Sequence, residues 1–139
     1  MRLQPAFTFT ELLIVVAALA MLAAAAVPRF FAVNKEIRTG AVQALAANVE
    51  SSANLTNRIW ASSGHSPRLT VDGQEVDMRY GYPTERSISD VVVSNGDFLF
   101  ADGYWKHKHS SSASGCAVLY VQPSNPASEP VVISYTGGC

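Results

Sequence analysis

Charge is scarce in this 139-residue chain: Lys, Arg, Asp and Glu make up 15 % of it and nearly cancel, to a formal net charge of −1. Without a basic surplus there is no bulk electrostatic ground for a nucleic-acid partner, and no specific one is expected. Cysteine is limited to Cys116 and Cys139, two distant thiols that do not make up a structural metal site. The sequence holds no Gly-x-Ser-x-Gly elbow, no phosphate-binding loop, no His-Glu-x-x-His and no Cys-x-x-Cys. The recurrent signatures of hydrolase, nucleotide, zinc-protease and thiol-redox chemistry are therefore missing. No catalytic residue, metal or cofactor is expected, and the chain reads as a non-enzyme.

The shortage of charge is concentrated at the start. The first 27 residues carry only Arg2 and Glu11, and residues 12–27 are 16 consecutive apolar residues. As a helix that run spans about 24 Å; counted from Phe7 it spans about 31 Å, the thickness of a bilayer's hydrocarbon core. The longer count takes in Glu11. A carboxylate at membrane depth costs about 3 kcal/mol, so it calls for a partner or a role. An ordinary secretory signal peptide is one reading, with Arg2 as its basic region, 12–22 as its apolar region and the alanines 23–26 as its cleavage site. It predicts a soluble, monomeric binding domain starting near Val27. Against it stand Glu11 at the head of the apolar run and a helical pattern that continues past the alanines.

The stretch Ala6-Phe7-Thr8-Phe9-Thr10-Glu11-Leu12 resembles the processing site of type IV pilins. In that family a dedicated membrane peptidase removes a short polar leader and methylates the new N-terminal residue, usually phenylalanine. A glutamate follows at the fifth mature position and a proline near the twenty-second. A cut between Ala6 and Phe7 places Glu11 and Pro28 at those positions. The resemblance implies residues 1–6 as leader, methylated Phe7 as the mature N-terminus, and residues 7–60 as one helix whose 7–27 portion is membrane or filament core. It also implies a head over 61–139. Glu11 would then meet the Phe7 amine of a neighbouring subunit and set the register of a filament. The implied partners are further copies of the chain in a helical filament, the prepilin peptidase, the inner membrane before assembly and the pilus assembly machinery. The fibre would stand at the cell surface of a Gram-negative bacterium and serve adhesion, attachment or motility. A pseudopilin of a type II secretion system shares this N-terminus and is the closest alternative.

Beyond Pro28, whose ring is expected to kink or open the helix, apolar residues recur at Phe30, Val33, Ile37, Ala41, Leu45, Val49, Ala53 and near Ile59 and Trp60. That is one stripe of an amphipathic helix, with Asn34, Lys35, Arg38, Gln43, Asn48 and Asn57 opposite and Trp60 expected in the core. Residues 69–80 read as a hairpin turning at Asp72-Gly73. Residues 84–93 read as a short helix, with a strand running into Asn95-Gly96 as the rival. Residues 97–101, 116–122 and 131–135 read as strands, with Phe98 and Phe100 on one face and a proline-rich loop between the last two. The fold class expected is α+β: a long N-terminal helix on a small antiparallel sheet.

In an exported chain, Cys116 and Cys139 most simply form one disulfide, as type IV pilins commonly do near the chain end. Within that family, Tyr80-Gly81-Tyr82-Pro83 and Gly115-Cys116-Ala117-Val118-Leu119-Tyr120 are most similar to the mannose-sensitive haemagglutinin type of type IVa pilin. His107 and His109 would share one face of a strand and a metal, but the flanking lysines favour a solvated loop. The strip Tyr104-Trp105-Lys106-His107-Lys108-His109 is of a kind that stacks on bases or sugars; packing of its aromatics on the sheet or on a neighbouring subunit, with the lysines in water, is the favoured expectation. Asn54-Leu55-Thr56 fits the glycosylation pattern, yet lies on the expected helix.

Overall fold

A computed structural model of the chain describes residues 8–110, 112 and 115–139. The chain divides into two compact units, Met1–Glu36 and Ile37–Cys139. Helix α1, Phe9–Ser62, supplies all but Thr8 of the described part of the first unit and the opening of the second. Pro28 lies inside it, and the helix continues past that residue. Proline lacks the amide that would bond the Ala24 carbonyl, but the alanines and leucines upstream are strong helix formers.

In the second unit, α1 buries Val42, Leu45, Val49, Ala53 and Thr56, a three-four spacing that keeps one stripe on one side. Thr56 is tolerated there because its hydroxyl donates to the Ser52 carbonyl at 2.7 Å. The expected stripe is corrected at both ends. Phe30, Val33 and Ile37 are exposed, at 68 %, 52 % and 64 %, and Trp60 is only half-buried. Nor does Arg38 belong to the solvated face: it is half-buried, and its Nη1 donates to the His109 carbonyl at 2.9 Å.

Two antiparallel sheets, rather than one, accompany the helix. The first joins β1 (Arg68–Val71), β2 (Gln74–Arg79) and β3 (Tyr82–Pro83) in sequence order. The second joins β4 (Phe98–Ala101), β5 (Tyr104–His107), β6 (Ala117–Val121) and β7 (Val131–Tyr135), also in sequence order. Three of the connections are two-residue turns. Asp72-Gly73, Tyr80-Gly81 and Asp102-Gly103 each place both residues at positive φ, the backbone that matches the twist of paired strands.

The expected helix over 84–93 reduces to a single 3₁₀ turn, Ile88–Asp90. The Thr84 amide and the Ser87 hydroxyl both donate to the Asp77 carbonyl, at 2.9 and 2.8 Å, tying this segment to β2. Short hydroxyl side chains offer the backbone such alternatives to helix, and Val91-Val92-Val93 is a poor helical run. The strip around His107 is also corrected. It forms β5 as far as His107, with Trp105 and His107 turned inward at 1 % and 6 % exposure, and only Lys108 and His109 lie exposed in a turn beyond it.

The core joins the α1 stripe to Ile88, Val92, Phe98, Trp105, Val118 and Tyr120, with the disulfide cysteines at its edge. Tyr120 is fully buried, and its hydroxyl donates to the Pro83 carbonyl at 2.8 Å, linking the two sheets. Burial holds its proton on far above the ordinary phenol range. Cys116 and Cys139 are bonded across 23 positions, joining the start of β6 to the chain end beyond β7. Gly115 and Gly138 make that approach possible, since a Cβ on Gly115 would lie 2.6 Å from the Gly138 Cα. Closing a loop of this length contributes about 3 kcal/mol. Cys139→Ser, or reductant on the native chain, is expected to lower head stability by about that amount in denaturant melts; curves that coincide with and without reductant would contradict it.

Candidate assembly segment

Thr8 stands just before α1, and Glu11 lies in its first turn. The Glu11 amide donates to Thr8 Oγ1 at 3.3 Å. In return, Glu11 Oε2 accepts from the Thr8 amide and hydroxyl, both at 3.4 Å. This is a capping box, in which a threonine and the glutamate three residues on satisfy each other's free amides. The carboxylate also sits at the positive end of the helix dipole. The signal was present in the sequence as Thr8-Phe9-Thr10-Glu11, a Thr-x-x-Glu pattern ahead of an apolar run, but the reading there turned on Glu11 as a charge in an apolar segment.

Beyond the cap, residues 9–27 are exposed on every side. The large apolar side chains include Phe9, Ile14, Leu19 and Leu22, at 75 %, 65 %, 59 % and 69 % exposure. A helix that is apolar all round belongs in a membrane or in a protein core. Length and composition make this one sufficient to cross a bilayer. Glu11 is the sole ionisable group among residues 8–27, so any apolar medium that takes in the segment must also accommodate its carboxylate. Ala6 and Phe7, the expected cleavage and methylation residues, lie outside the described residues.

The other sequence candidates fall elsewhere. Cys116 and Cys139 are paired in the head. His107 and His109 have ring centroids 6.0 Å apart, but His107 Nδ1 accepts the His109 amide at 3.2 Å and is committed to that bond. No group of three His, Cys, Asp or Glu suited to a metal ion occurs among the described residues. Tyr104 and Trp105 both belong to β5, and Trp105 joins the core, as the packing expectation held for that ring. Asn54 is exposed on α1. Comparison with family models, with curated proteins and with solved structures gives no match.

The buried imidazole has a consequence for stability. His107 packs edge-on against Phe98 at 5.2 Å. Burial first, then the positive potentials of His109 and Arg38, lower its pKa below the ordinary 6.5, while Asp97 acts the other way. As pH falls, the unfolded chain therefore takes up this proton before the folded one does. The stabilisation is complete above about pH 6.5 and is lost as pH drops toward the folded value. Thermal melts between about pH 8 and pH 5 should show the midpoint falling on the acid side, and His107→Gln should remove part of that slope; an unchanged slope in the variant would contradict the assignment.

Proposed function

We propose that this chain is a structural subunit, the major one, of a surface filament of the type IV pilin kind. The observation that carries the reading is the uncovered apolar helix over 9–27, headed by a single carboxylate and continuous in sequence with a helix that packs on an α+β head. The apolar segment is held in the inner membrane first and moves into the filament core on assembly. Removal of residues 1–6 leaves a charged amine on Phe7. In the fibre that amine meets Glu11 of a neighbour, where two opposite charges in low dielectric attract strongly and each is costly alone. The late disulfide supports a pilin over a secretion-system pseudopilin. Adhesion, attachment or motility then belongs to the fibre.

Two measurements test this. Mass spectrometry of material sheared from cell surfaces is expected to find a chain beginning at Phe7 with one added methyl group. A soluble chain beginning near Val27 would end the filament reading. Glu11→Gln separates charge from capping, because glutamine also closes a capping box. Fibre yield is expected to collapse in both Glu11→Gln and Glu11→Ala; normal fibres from the glutamine variant would mean that the cap, and not the charge, is what assembly requires.

A further inference from the structure

A cleft of about 680 Å³ opens in the second unit, between the end of α1, the β2–β3 hairpin and the β6–β7 loop. Trp60, His65, Tyr80, Tyr82 and Glu129 line it. Its volume is in the range of small-molecule sites.

The rings are held in place. Trp60 Nε1 donates to the Ser66 carbonyl at 2.8 Å, and the His65 ring meets Trp60 edge-on at 4.4 Å. Gly81 closes against the indole so tightly that a Cβ there would lie 2.9 Å from Trp60 Cζ3. Asn57 Nδ2 fixes that approach by donating to the Gly81 carbonyl at 2.8 Å.

Backbone strain marks the same place. Among the described residues, four non-glycine residues have positive φ: His65, Asp72, Tyr80 and Asp102. The two aspartates stand in Asp-Gly turns, where that residue is favoured. The other two, His65 at 62° and Tyr80 at 52°, both line the cleft. At the first position of the Tyr80-Gly81 turn, Asn or Asp would be cheaper than a bulky ring. Such strain collects where a side chain must be presented to a ligand, and Tyr80 remains 40 % exposed.

The chemistry of the walls selects a sign of charge. Three large aromatic rings offer negative faces, Glu129 adds a carboxylate, and no lysine or arginine is part of the lining. A guanidinium already lies against one of these rings: Arg79 Cζ is 5.5 Å from the Tyr80 centroid. We propose that the cleft binds a small organic cation of the quaternary or alkylated ammonium class, held on the Trp60, Tyr80 and Tyr82 rings and balanced by Glu129. Free choline and a phosphocholine headgroup share that chemistry.

The test uses the full chain in a nonionic polyoxyethylene detergent, with tryptophan fluorescence as readout. Choline chloride is titrated against sodium chloride of equal ionic strength, and glycerophosphocholine is titrated separately. A saturable response to choline is expected, and the ratio of the two affinities assigns the source of the cation. Glu129→Gln should weaken choline binding about threefold, and Arg79→Gln should tighten it, since a competing positive charge is removed. Tyr80→Asn should weaken it about fivefold while raising the melting midpoint, because Asn-Gly suits the turn. The proposal is overturned by a choline response no different from sodium, by a saturable response to glucose instead, by the reverse order for the two charge variants, or by a Tyr80→Asn chain that binds choline as the native one does.

Discussion

The stripe of Val42, Leu45, Val49 and Ala53, none more than 4 % exposed, is the constraint on which the rest of the head depends. Each valine or leucine buried there contributes about 2 kcal/mol, and among the described residues the strands have no other α-helix to cover them. Ile88, Val92, Phe98, Trp105, Val118 and Tyr120 complete one continuous cluster with that stripe. The same helix upstream shows the opposite condition, apolar all round and covered by nothing over 9–27. One element thus carries two kinds of surface: a narrow stripe that specifies a fold, and a full cylinder that specifies an apolar medium.

A head this small has little core to spare, and its chain economises accordingly. Tight two-residue turns at Asp72-Gly73, Tyr80-Gly81 and Asp102-Gly103 keep the loops short, which limits the entropy lost on closing them. The longer connections are fastened by other means. The Thr84–Ser87 segment is bonded to the Asp77 carbonyl, and the chain end is held to the start of β6 by the disulfide and by the Gly138 amide, which donates to the Gly115 carbonyl at 2.6 Å.

Much of this was legible in the residues. The Asp72-Gly73 hairpin and the strand at 131–135 follow from turn chemistry and β-branched runs. The disulfide follows from cysteine arithmetic, and the helix from its period. What escaped did so for local reasons. Asp102-Gly103 is the same turn signal as Asp72-Gly73, but the lysines beside the histidines masked it, and β5 was lost with it. Lys106 and Lys108 do not decide that strand; the inward side chains Trp105 and His107 do. The Tyr80-Gly81 turn gave no Asn-Gly or Asp-Gly signal, because a tyrosine stands where those residues usually do. The valines at 91–93 and the hydroxyls at Thr84 and Ser87 pulled a nominal helix back to one 3₁₀ turn. Where the stripe stops being covered, between Ile37 and Val42, is not encoded in its period at all: the apolar spacing is equally good on both sides of that boundary.

Glu11 shows how one side chain can serve two neighbours. Both bonds from Thr8 fall on Oε2 and are long, at 3.4 Å. A carboxylate has about four acceptor sites, so this cap uses only part of its capacity. In water the remainder is met by solvent. In an apolar medium solvent is withdrawn, the cap alone does not compensate the charge, and a cationic donor becomes the most favourable completion. Capping therefore does not compete with the proposed pairing to a neighbour's amine. It orients the carboxylate at the helix start and satisfies helix amides that would otherwise be stranded in the same medium, leaving the net negative charge as the cost that the proposed pairing to a neighbour's amine would offset.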